Sequence, residues 1–325
     1  MEKKKINNTD LLVSRICLGT MHYGDIQNQT EAAQQLDTFL EWGGNFVDTA
    51  HVYGQWVPGL GSSSEEYIGK WIAKSGKRNH IVLSTKGCHP ALDNRSVSRV
   101  TPECIHKDLR ESLELLKTDF VDIYFLHRDN PSLPVNVIID ALEQEVKAGN
   151  MRYYACSNWK PERILAANTY AKSIGSKGFV VNQLMYSLAD ITWAGIEDHT
   201  LEGMDQKTYA FQKEQHMDVM AYSSIAKGYF NKKYLGKPIG KLIENAYGNA
   251  SNEILYQIMK PYLEVFRPID IEIQYLLRVP GFSVFPITSY SSTEQMRQGF
   301  ASEEAKVPQV LLDLLHKEKQ YILKG

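Results

Sequence analysis

The stretch Ile16-Cys17-Leu18-Gly19-Thr20-Met21-His22-Tyr23-Gly24 decides the fold. It begins as a short apolar run, which reads as a strand, and turns on a glycine. An open, doubly wound nucleotide-binding sheet would carry GxGxxG in this turn, so that the middle glycine lets a pyrophosphate approach the backbone. Met21 stands at that middle position, and the fingerprint is missing. The first strand therefore opens a different architecture.

Working outward, seven more apolar runs follow, at residues 45–47, 81–84, 121–126, 151–156, 178–181, 218–221 and 282–285. Amphipathic stretches alternate with them at 30–42, 65–74, 102–117, 134–147, 161–174, 208–215, 270–278 and 292–299. Thr101-Pro102 and Lys160-Pro161 place proline at the first helical position, where its missing N–H costs nothing. Eight strand–helix units predict an α/β fold of the (β/α)8 TIM-barrel type, in one domain spanning 1–325. The Asn-rich turn inside 5–12 predicts an N-terminal β-hairpin across the barrel floor, and 308–323 reads as a closing amphipathic helix. Two stretches break the rhythm, 187–206 and 223–267, and are expected as long loops on the C-terminal face.

Composition narrows the function classes. Lys plus Arg number 36 against 38 Asp plus Glu, a net charge of −2, so a nucleic-acid partner is not expected. Lys232, Lys233, Lys237 and Lys241 read as a solvated loop or the rim of a cofactor-phosphate site. Cys17, Cys88, Cys104 and Cys156 are far apart with no CxxC, which argues against a disulfide framework or a zinc site. The nine histidines show neither HxxxH nor HExxH spacing, so no metal is expected. A charged N-terminus without an apolar run behind it, and no membrane-length stretch, predict a cytoplasmic protein, monomer or homo-oligomer.

Barrel enzymes place their chemistry just past strand ends. Three consecutive ends read Asp48-Thr49-Ala50-His51-Val52-Tyr53-Gly54, Ser84-Thr85-Lys86-Gly87 and Leu126-His127-Arg128-Asp129. Asp48, Lys86 and His127 should converge, with Tyr53 on the same loop as Asp48. A phenol donates a proton near neutrality only when a cation stabilises its phenolate, and Lys86, kept charged by Asp48, supplies one. A neutral His127 would orient a carbonyl oxygen. That grouping suits protonation of a carbonyl as hydride arrives.

The run from Gly43 to Gly54 resembles the signature segment of the aldo-keto reductases. Leu83-Ser84-Thr85-Lys86, Val121-Asp122-Ile123-Tyr124-Phe125-Leu126-His127, Cys156-Ser157-Asn158, Val181-Asn182-Gln183 and Ala221-Tyr222-Ser223 follow in the family's order. The resemblance implies Tyr53 as general acid, Lys86 and Asp48 as its tuning pair, and His127 as the carbonyl-orienting group. It implies that Ser157, Asn158 and Gln183 bond a nicotinamide carboxamide and that Tyr222 stacks on its ring. Gly19, Thr20, Met21 and Asp48 would lie by the nicotinamide ribose, and Ser223, Ile225 and Gly228 by the pyrophosphate.

At the adenosine end the resemblance implies Ser289, Ser291, Gln295 and Gln298. Gln295 stands where the family often has arginine, and Gly299 where asparagine is usual. NADP(H) is the cofactor that family habit favours, with NAD(H) the competitor. Trp56, Arg128 and Trp193, with Tyr53 and His127, predict a polar pocket with aromatic walls, suited to a sugar or polyol. The rival reading is a cofactor-binding regulatory subunit of the channel β-subunit type, with little turnover.

Overall fold

The computed structural model describes residues 1–324. The chain opens with β1 (Lys3–Lys5) and β2 (Leu12–Ser14), antiparallel and in register Lys3 to Ser14. Then follow β3 (Cys17–Gly19), α1 (Gln29–Glu41), β4 (Phe46–Asp48), α2 (Ser63–Ser75), β5 (Val82–Gly87), α3 (Pro102–Leu116), β6 (Val121–Leu126), α4 (Val135–Ala148), β7 (Met151–Ser157) and α5 (Pro161–Ser173). Next come β8 (Val181–Met185), α6 (Gln206–Glu214), β9 (Asp218–Tyr222), α7 (Tyr229–Tyr234), α8 (Lys241–Tyr247), α9 (Ala250–Met259) and α10 (Pro268–Leu277). The chain ends with β10 (Val284–Thr288), α11 (Thr293–Phe300) and α12 (Gln309–Lys324). The strands from β3 to β10 close into a parallel barrel in the order β10-β3-β4-β5-β6-β7-β8-β9, the (β/α)8 fold expected.

Every residue of β5 and β6 is buried, which is why parallel barrel strands read as unbroken apolar runs rather than alternating ones. Helix starts follow local chemistry. Asn28 and Glu31 form a reciprocal capping box on α1, and the Thr101 hydroxyl caps α3 ahead of Pro102. The hairpin is joined to the start of β4 by Asn45, whose side chain bonds the Ser14 amide and the Leu12 carbonyl. The four cysteines are free thiols, Cys17, Cys88 and Cys156 buried and Cys104 partly exposed. No described helix is long and apolar enough to cross a membrane.

Three expectations need correction. The run at 178–181 is not the sixth barrel strand, which begins at Val181. Gly178 is left-handed (φ +72°), and the Asn168 side chain captures the Phe179 amide, so this segment is a turn that leads into β8. Phe179 packs there on the rings of Tyr154 and Trp159, which explains its apolarity. The last strand is also displaced, from 282–285 to Val284–Thr288, because the Asp218 carboxylate takes the Ser283 amide. The stretch 223–267 is no plain loop: it carries α7, α8 and α9, and its Lys233 pairs with Glu253 at 2.8 Å.

The chain divides into two compact units, Met1–Gln183 with Ser289–Met296, and Leu184–Thr288 with the residues from Arg297 onward. The second has its own apolar cluster, including Phe230, Tyr247, Leu255, Ile271, Leu276 and Leu311.

Candidate active site

Four of the sequence-chosen side chains meet at the ends of β4, β5 and β6. Asp48 pairs in register with Ser84, and Lys86 lies two residues farther along β5 on the same face. Lys86, 1% exposed, directs its ammonium to the Asp48 carboxylate (2.6 Å), the Thr49 carbonyl (2.7 Å) and the Tyr53 hydroxyl (3.1 Å). All three N–H bonds are thereby used. Asp48 in turn accepts from the Ser84 hydroxyl at 2.8 Å and the Gln183 amide at 3.2 Å, so a buried carboxylate is fully bonded.

Tyr53 is aimed by the turn after β4. The Thr49 and His51 amides extend the ladder onto the Ser84 and Lys86 carbonyls, each at 2.9 Å, and the chain then folds back as the Tyr53 amide bonds Ala50. Gly54 completes the turn at φ +102°, where a Cβ would stand 2.0 Å from the Ser63 hydroxyl. Only glycine fits there. Beneath the turn, the Thr20, Ser64 and Thr49 hydroxyls form a buried chain with 2.8 Å links.

Burial raises the Tyr53 phenol above its usual value; Lys86 pulls it back, and Asp48 pushes it up. Against the expectation that Lys86 makes the phenol more acidic, desolvation wins overall. For Lys86, burial lowers the pKa, but Asp48 and Tyr53 more than offset it, so the ammonium holds its proton more firmly than a free lysine. His127 is pushed well below the ordinary imidazole range by burial and then by His89, Arg128 and Lys86. Its ring meets Tyr53 edge-on at 6.1 Å and His89 at 4.7 Å. Its Nδ1 is sealed without a partner, which leaves Nε2 for a carbonyl oxygen.

In the first unit, Ser157, the last residue of β7, is the register partner of Gln183 in the middle of β8. Asn158 follows with a left-handed backbone (φ +60°), its amide bonded to the Gln183 carbonyl and its side chain to Ser157 and His127. Asn158 spends both side-chain N–H bonds on His127 and Ser157, and Gln183 donates one to Asp48, so this row is already bonded within the protein; its hydroxyl and two carboxamides are of the kinds that a nicotinamide carboxamide pairs with. The Thr20 hydroxyl is taken by the Asp48 carbonyl, and Met21 is 39% exposed. Ser289 donates to the Gly19 carbonyl and Ser291 to Gln295, so these hydroxyls already point at protein.

In the second unit, Tyr222 ends β9 with its hydroxyl toward the Glu202 carbonyl. The turn after it is left-handed at Ser223, Ala226, Lys227 and Gly228, and Ile225 lies between. Such turns build anion-binding loops, and the exposed Lys227 adds a cation. Gln298 lies on α11.

The expected substrate residues divide. Trp56 is 40% exposed, edge-on to Tyr53 at 6.1 Å, with its indole N–H on Asp25. Arg128 is buried and bonds the His127 carbonyl at 2.7 Å, while Asp129 is gripped by Arg163. Both side chains are tied to neighbouring protein groups. Trp193 occupies a one-turn helix in the second unit, its ring packed over Gly203.

Sequence spacing also missed a cluster. His51, Asp108 and Glu111 bring ligand-type atoms within 4.8 Å of one another on a cavity of about 410 Å³, also lined by Gln55, Lys86 and His89. The paired acids are thus present, though 57 or more positions from His51 in sequence. Arg99 already grips Asp108, at 2.7 Å. The one clue was His51 itself, two residues before Tyr53.

The aldo/keto reductase family model matches residues 15–313. An uncharacterized oxidoreductase, YrpG, of Bacillus subtilis is 27% identical over 97% of this chain and 95% of its own. Protein tas of Escherichia coli is 25% identical over 93% of each. Norsolorinic acid reductase stcV of Emericella nidulans is 34% identical over 53% of this chain and 46% of its own. With the family pattern matched over nearly its whole length, and that barrel fold beneath it, the chain belongs to the aldo/keto reductase family of oxidoreductases.

Proposed function

We propose that the protein reduces a carbonyl, or oxidises the matching alcohol, with NADP(H) or NAD(H), and that Tyr53 is its proton donor. The observation that carries this reading is the 3.1 Å contact between the Tyr53 hydroxyl and a buried ammonium itself fixed by Asp48. A bound reduced nicotinamide supplies the hydride. His127, neutral, holds the carbonyl oxygen through Nε2–H; as negative charge builds there, the Tyr53 O–H breaks and its proton passes to that oxygen. The phenolate left behind is stabilised by Lys86 until a proton returns from solvent.

Ser157, Asn158 and Gln183 are the residues proposed to hold the carboxamide, with Tyr222 on the ring and the 223–228 turn toward the pyrophosphate. We further read the chain as one cytoplasmic barrel domain acting on a sugar or polyol. Trp56 beside Tyr53 supports this reading, because indole faces suit the C–H face of a sugar ring. The test is a fluorescence titration with NADPH and NADH, followed by a screen of aldoses, keto-sugars and simple aldehydes with the tighter binder. Tight cofactor binding without turnover on any carbonyl would favour the regulatory-subunit reading.

A further inference from the structure

His51 is bonded on every side. Its amide holds the Lys86 carbonyl at 2.9 Å, and its Nε2 lies 3.1 Å from Glu111 Oε2 on α3. Gln55 closes the other flank: its amide nitrogen approaches His51 Nδ1 at 3.5 Å, donates to the His51 carbonyl at 2.9 Å and reaches Ser62 at 3.0 Å. A carboxylate only accepts, so Nε2 is the donor in the contact with Glu111. Glu111's other oxygen faces Lys107 at 3.8 Å. The two residues that flank Tyr53, at −2 and +2, are thus tied to each other, and one of them is tied to a helix.

We propose that the His51–Glu111 contact is a strut from α3 that sets the reach of Tyr53, which makes His51 and Glu111 positioning residues for proton transfer. This rests on the reading of Tyr53 as proton donor. The strut matters more for geometry than for stability, since a partly exposed pair adds little to folding, whereas a small misplacement of a reacting group slows chemistry steeply. Of the three bonds that Lys86 makes, the one to the Tyr53 hydroxyl is the longest, 3.1 Å against 2.6 Å to Asp48 and 2.7 Å to Thr49. The phenol hydroxyl is held by this single bond, so the backbone turn that bears it sets its reach.

The experiment is a double-mutant cycle on the full chain. His51→Leu and Glu111→Leu should each lower kcat about tenfold or more with cofactor Kd unchanged, and the double variant should be no slower than either. Both should move the Tyr53 titration upward, read as the ultraviolet phenolate difference between each protein and its own Tyr53→Phe partner. His51→Gln, whose amide N–H falls near the position of Nε2, should restore most of the rate. Wild-type kcat in both leucine variants, additive losses, or an equal fall in cofactor binding would overturn the strut. Should His51→Leu not fold, Glu111→Leu against Glu111→Gln gives the same comparison from the helix surface. A wild-type protein that turns over no carbonyl refutes the reductase reading instead, while the phenolate difference still tests the strut.

Discussion

The Lys86 ammonium lies 2.6 Å from the Asp48 carboxylate, with both side chains all but sealed from water. Such a pair is weak evidence for stability as a unit, yet removing one partner strands the other charge. Lys86→Met should therefore cost about 3–5 kcal/mol of folding stability as well as most of the turnover. Thermal unfolding checks it, and Lys86→Met with Asp48→Asn should recover part of the loss. An unchanged melting temperature in the single variant would show that Asp48 finds another partner.

Tyr53→Phe removes the acid and little else, since the hydroxyl bonds only the lysine in this site. Carbonyl reduction should fall about 10²–10⁴-fold, while nicotinamide affinity, followed by fluorescence, stays at the wild-type level. Unchanged turnover would remove Tyr53 from the mechanism.

The pH profile follows from two directions. Burial holds the Tyr53 phenol protonated past its ordinary range, and burial with neighbouring cations keeps His127 neutral well below the ordinary imidazole range. Reduction at saturating substrate should accordingly stay level from roughly pH 6 to 9. A steady-state rate that titrates near the histidine value would contradict a neutral His127.

Glu272 offers a test far from catalysis. It is fully buried on α10, neither carboxylate oxygen has a hydrogen-bond partner, and desolvation lifts its pKa to about 8. The unfolded carboxyl releases its proton near 4.5 and the folded one near 8, so folding takes up a proton between those values. Stability from this group is whole below about pH 4.5 and is lost as the pH climbs through 8. Glu272→Gln should raise the melting temperature at pH 9 by more than at pH 5. Equal shifts at both would mean that the carboxyl is ionised throughout.

Much of this was legible in the chain. Strand-end residues announce themselves because a barrel puts chemistry at fixed points of a repeating unit, and Asp48, Tyr53, Lys86 and His127 sit at those points and meet. Periodicity located β6 to the residue but misplaced β8, because Phe179 and Val180 are as apolar as strand residues while Asn168 and Gly178 hold them in a turn. The Glu111 contact with His51 could not be read at all. The two are separated by α2 and β5, and nothing in local spacing marks a helix carboxylate that faces a loop imidazole. Nor does sequence reveal that Arg128 folds onto the carbonyl behind it rather than into solvent.

Three of the four thiols lie inside the protein, and Cys104 alone has partial exposure, in the first turn of the helix that bears Glu111. A maleimide dye added to the native protein should therefore attach at a single place. That handle, seven residues from the strut, would let an optical signal follow the loop of Tyr53 as ligands arrive.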